Sequence, residues 1–197
     1  MFRRLLFPLL LALALAPGAQ AAGGHYGFDG GTRSQQAQVT AALNASTFNW
    51  SVVPGPVVIH IGDKISPHAV AGQIWLDAAL LASGRFSWGV VQHEYAHQVD
   101  FLALTDPMRA TLHGLLQGTS WWGSVSNHAQ LDCERFADTL AWAYWQSPDN
   151  VMKPESQSDE GGQVAPAAFR AALQSLLNLD RPRTIAALRS KGHPRNG

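Results

Sequence analysis

The stretch SWGVVQHEYAHQVDFLAL, Ser87 to Leu104, holds His93-Glu94-Tyr95-Ala96-His97 at its centre, and the rest of the chain is read from it. No proline falls between Ile74 and Leu104, so the stretch predicts a helix, with Ser87 as its N-cap. Residues four apart on a helix share a face, so His93 and His97 can grip one ion. Glu94 then projects beside that ion, where a carboxylate can hold and deprotonate a water. The neighbours Val90, Val91, Gln92, Tyr95, Ala96, Gln98 and Val99 carry no charge, as a buried metal helix requires.

Outward from this helix the pattern divides. On the N-terminal side, Val57 to Ile61 is a β-branched run that reads as a buried strand, and Gly72 to Leu76 reads as a second. Gly62-Asp63 and Ser66-Pro67 are turn signals between them, and Asp77 is placed to cap a short helix through Ala82. Gln35 to Ala45 predicts a helix, whereas the glycine-rich Ala22 to Arg33 reads as irregular. On the C-terminal side, Asp106-Pro107 opens a helix to Leu116, with Asp106 as its cap. A loop with Trp121 and Trp122 follows, then a long helix from His128 to Gln146. Ser147 to Gly162 is a polar loop, and Pro166 opens a last helix to about Leu179. Strands first and helices later predict an α+β fold. A small N-terminal sheet lobe carries the metal helix, which packs on a C-terminal helical lobe, all in one domain from residue 22 to 197. The basic end, about 181–197, reads as a solvated tail.

A catalytic zinc takes three protein ligands and keeps one position open. Continuation of the motif with Gly at 100 and His at 103 would make a metzincin, but Asp100 and Ala103 stand there. Gly118-Thr119 begins an aspzincin pattern, but Trp122 stands where the aspartate belongs. Glu134 on the later helix has Asp138 one turn beyond it, on the same face, and Ala137 is small enough for close helix approach. Asp132 and His128 are the alternatives for the third ligand. Asp100 is read as a helix-end hydrogen-bonding group, and Cys133 as facing the core.

H-E-x-x-H followed by a helix with E-x-x-A-D, from about Val57 to Trp145, resembles the gluzincin clan of zinc metallopeptidases. The compact forms called minigluzincins are the most similar in size. The resemblance implies one zinc per chain, held by His93, His97 and Glu134, with Glu94 as general base and acid. It implies that Asp138 accepts the Nδ1 hydrogen of a ligand histidine, His93. It also implies an edge strand that pairs with extended substrate, here Gly72, Gln73, Ile74 and Trp75. Larger members stabilise the oxyanion with a His or Tyr on the C-terminal lobe; His113, His128 and Tyr144 have the right chemistry.

Met1 to Ala21 reads as a secretory signal peptide: Arg3 and Arg4, an apolar run, then Ala19-Gln20-Ala21 for cleavage. The run is too short to span a bilayer, and no other stretch could. The expected location is secreted or periplasmic. The 14 basic side chains balance the 14 acidic ones, so no strong field recruits nucleic acid. A single cysteine excludes an intrachain disulfide and a multi-cysteine zinc site. The expected function is hydrolysis of peptides or proteins. The rival functions are a catalytically silent zinc-bearing scaffold and a metal-dependent amidase on a cell-wall fragment. Ala22 to Arg33 and Ser147 to Gly162 are the segments placed to cover the cleft.

Overall fold

Along Val57–Gly62 the side chains of Val57, Ile59 and Ile61 are buried while Val58 is exposed, the two-residue period of a strand with one face on a core. Ile74 and Leu76 repeat the pattern in Gln73–Asp77. The computed structural model describes residues 24–123 and 128–178. The expected leader with its cleavage site and the basic tail of 181–197 lie outside the described residues.

In chain order the elements are β1 (Tyr26–Gly30), α1 (Arg33–Ala45), β2 (Val57–Gly62), β3 (His68–Val70), β4 (Gln73–Asp77) and α2 (Ala78–Ala82). Then come α3 (Trp88–Ala103), α4 (Asp106–Leu116), α5 (Asp132–Tyr144) and α6 (Pro166–Leu177). Short 3₁₀ turns stand at Trp50–Val52, Gly84–Ser87 and His128–Gln130. The sheet order is β1-β2-β4-β3, with β1 and β4 parallel to β2 and β3 antiparallel to β4. The fold is α+β, a small N-terminal sheet followed by helices.

The helix α3 lies between α1 and α5, with α6 beyond α5. Gln92 reaches from α3 to donate to the Ala42 carbonyl of α1 at 2.7 Å. Ala96 and Ala137 are both fully buried, and small side chains there let α3 and α5 approach. Tyr95 and Phe48 each meet Trp50 edge-on, and Phe136 meets Phe169 between α5 and α6. These contacts join both lobes in one hydrophobic core. Among the described residues no helix is long and apolar enough to cross a membrane.

Several boundaries differ from the sequence reading. The glycine-rich segment after Ala22 is not all irregular, because Tyr26–Gly30 pairs in parallel with β2. Its partner strand supplies the order that its own composition does not predict. Thr32 caps α1, accepting from the Gln35 N–H. Ser87 is not a side-chain cap; its hydroxyl donates to the Gly84 carbonyl, closing the 3₁₀ turn that leads into α3. Thr105, rather than Asp106, precedes α4. The expected helix from His128 is broken at Leu131, which is extended and bridges to Ser120. Asp77 caps α2 as expected, accepting from the Leu80 N–H at 2.9 Å.

Candidate metal centre

The face of α3 that holds His93 and His97 looks across a cleft of about 530 Å³ towards α5. The Nε2 atoms of the two histidines lie 3.1 Å apart. Glu134 Oε2 on α5 is 3.4 Å from His93 Nε2 and 3.5 Å from His97 Nε2. One atom of each side chain thus converges on a common point. On the other side of its ring, His93 Nδ1 lies 2.6 Å from Asp138 Oδ1. The carboxylate accepts that Nδ1 hydrogen, so Nε2 turns a lone pair towards His97. Two ring nitrogens and a carboxylate oxygen so arranged repel one another unless a proton or a cation sits between them. Tetrahedral ligands at roughly 2.0–2.1 Å from one ion stand about 3.3 Å apart, close to all three distances. His93, Glu94 and His97 each bring a ligand atom within 4.8 Å of the others, and this group could hold a metal ion.

The electrostatics follow from burial and from these contacts. Burial pushes the Glu94 carboxyl up, partly offset by His93 and His97, so its proton affinity exceeds that of an ordinary glutamate. Burial also acts against a charged His93, but hydrogen bonds to Asp138 and Glu134 outweigh it and hold its pKa well above the usual histidine value. Glu134 goes the other way: despite burial, its bonds to His93 and His97 keep it far below the carboxylate range. Cys133 also lines the cleft, 3.8 Å from Glu134 Oε1. Burial first, then the Glu134 charge, pushes its thiol up to about 12, an inert form.

Comparison with family models, with curated proteins and with solved structures returns no match to this chain. What the residues can do therefore rests on the geometry of this cleft.

Of the three oxyanion candidates His113, His128 and Tyr144, only His128 lines the cleft. His113 lies outside it, with Nδ1 2.5 Å from the buried Asp132 carboxylate. That carboxylate also accepts from the Gly118 N–H at 2.7 Å, so Asp132 pins the loop after α4 and is not turned towards the histidine pair. Tyr144 sits in the core, its ring edge-on to Phe48 at 5.0 Å. Neither His113 nor Tyr144 reaches the cleft. Asp100 is fully buried at the end of α3, where Arg109 and the Trp121 indole donate to it. Arg109 in turn backs Trp122, whose ring is half-exposed at the cleft rim.

Gly72 to Trp75 does not form an edge. Gln73–Asp77 pairs on one side with β2 and on the other with β3, so its backbone groups are engaged on both sides. The edge strand on this side of the sheet is β3, and His68 and Ala69 on it line the cleft. Three residues preceded by Ser66-Pro67 carry too little alternation to signal a strand. His68 stacks flat on Trp75 at 4.7 Å, a contact with no sequence signature.

The loop Ser147 to Gly162 contributes Met152 and Glu160 to the cleft wall, so it borders the cleft as its position suggested. Burial, then the adjacent Asp138 carboxylate, raises Glu160 to about 7. Nothing in the sequence around Glu160 pointed to that neighbour, which lies on another element. The glycine-rich N-terminal segment is at the opposite side of the sheet, as β1 and β3 are its two edges.

Proposed function

We propose that this protein is an exported zinc-dependent peptidase of gluzincin type. The observation that carries the reading is the convergence of His93 Nε2, His97 Nε2 and Glu134 Oε2 within 3.1–3.5 Å, with Glu94 beside them in an open cleft. His93, His97 and Glu134 would hold the ion, and Asp138 would fix the His93 tautomer. A bound zinc would act as Lewis acid on the scissile carbonyl and on the attacking water. Glu94 takes the proton of that water and passes it to the leaving amine; its raised proton affinity suits both halves of the transfer. Of the three sequence candidates, His128 is the one placed in the cleft to contact the developing oxyanion.

An extended peptide would add to β3 as a further strand. Val70 and Gln73 flank a two-residue turn, so they form the hydrogen-bonded pair and Ala69 turns its N–H and C=O outward. The substrate backbone would pair there, over the metal face of α3.

Purified protein reconstituted with zinc should hold one ion per chain and cleave members of a broad peptide library, and a chelator should abolish cleavage. Zinc binding with no cleavage of any peptide would instead point to a scaffold, or to an amidase acting on a cell-wall fragment. A stoichiometry near zero would remove the reading altogether.

A further inference from the structure

We propose that Gln98 is a positioning residue: it fixes the height of β3 above the metal face of α3 and so sets the register of a bound peptide. The proposal rests on the peptidase reading and adds to it a residue outside the ligand and proton-transfer set. Gln98 directly follows His97 and is fully buried. Its amide is spent on one turn of backbone. Oε1 accepts from the Gly72 N–H at 2.7 Å, while Nε2 donates to the carbonyls of Val70 at 2.9 Å and Gln73 at 3.1 Å.

The turn needs such support. Gly72 has φ +81° and Ala71 is not among the residues of positive φ, the pattern of a type II turn. The twist of that turn does not match paired strands as the primed turns do. β3 contributes only three residues to the ladder, so its own pairing holds it weakly. The three Gln98 bonds bind the β3–β4 hairpin to the helical turn that carries His97. A peptide paired at Ala69 is thereby presented to the histidines at a set distance, and a misplacement of about 1 Å is enough to lower a rate ~100-fold. An apolar side chain at 98 would leave the Gly72 N–H and the Val70 and Gln73 carbonyls without this amide.

The test is Gln98→Met, which keeps an unbranched chain of similar length, and Gln98→Asn, which keeps the amide but shortens its reach. Each is compared with the wild type on a hexapeptide long enough to pair with Ala69 and on a blocked dipeptide that is not. Both variants should hold one zinc per chain. kcat/KM for the hexapeptide should fall about 10-fold or more, with that for the dipeptide within about 3-fold. Backbone hydrogen exchange over residues 69–74 should quicken by a similar factor while that of α3 is unchanged. Equal losses on both substrates would overturn the proposal, as would unchanged exchange over 69–74. Failure of both variants to fold would also overturn it, by making Gln98 a core residue and nothing more. If the wild type cleaves no peptide, the peptidase reading falls by itself, and the exchange measurement still decides whether Gln98 holds the hairpin.

Discussion

Glu94 and Asp138 are both carboxylates at one cleft, yet they should fail in different ways when altered. Glu94→Gln keeps volume and a hydrogen-bonding group but cannot take a proton. It should bind zinc as the wild type does and lose about 10²–10⁴-fold in hydrolysis. A variant that cleaves normally would place the base elsewhere, and one that loses zinc would make Glu94 a ligand. Asp138 instead accepts from His93 Nδ1 at 2.6 Å. Asp138→Asn should weaken zinc affinity about 10–100-fold, because the imidazole loses both its orientation and the basicity that the charge confers. Zinc titration by competition with a chromophoric chelator measures it; unchanged affinity would leave Asp138 without a role at the metal. The i, i+4 spacing of both pairs was legible in the sequence because helical periodicity is local. The pairing of Asp138 with Glu160 was not, since the two meet only through tertiary packing.

At the scale of elements, the loop beside the cleft is held from beneath. Asn150 is buried, and its amide donates to the carbonyls of Ala141 at 3.0 Å and Trp145 at 2.8 Å at the end of α5. Asn150→Ala should lower stability by about 1–3 kcal/mol, since two buried carbonyls lose their donor. Denaturant unfolding checks it, and a change within ~0.5 kcal/mol would mean that water replaces the amide. The same loop crosses α3 at Gly89, where an added Cβ would clash with Asn150 Oδ1. Glycine is needed there for close approach, a fact the sequence does not announce. The break at Leu131 has a similar origin. Helical propensity continued through His128 to Leu131, but pairing of Leu131 with Ser120 and the Asp132 carboxylate's hold on Gly118 overrode it.

For the whole molecule, a metal held at this cleft would couple binding to stability and to pH. A ligand that binds only the folded chain stabilises it by about 2.7 kcal/mol at a hundredfold excess over Kd. Zinc should therefore raise the melting temperature and a chelator should reverse the rise, with a smaller shift in Asp138→Asn. Without metal, the His93 pKa is raised above its ordinary value of 6.5. A raised folded pKa contributes stability below the unfolded value, which is lost as pH rises through the folded one. The metal-free protein should thus lose stability as pH climbs above about 6.5. A zinc ion held by His93 would have to displace that proton, so a zinc-induced rise in melting temperature should grow over the same range. Melting curves with and without chelator, from pH 5.5 to 8.5, check both; a zinc shift that shrinks with pH would contradict the assignment.

By itself the sequence determined the helix around His93, the i, i+4 pairs on α3 and α5, the two inner strands and the α+β class. Each is written in local periodicity, which needs no knowledge of what lies across the core. Only the tertiary structure decided that Glu134 faces the histidine pair, that Tyr144 and His113 point elsewhere, and that β3 rather than β4 is the edge beside the cleft. Those outcomes depend on which faces of separate elements pack together. Strand order is tied to the burial of Ile59, Ile74 and Leu76 in the common core, and no spacing along the chain encodes it.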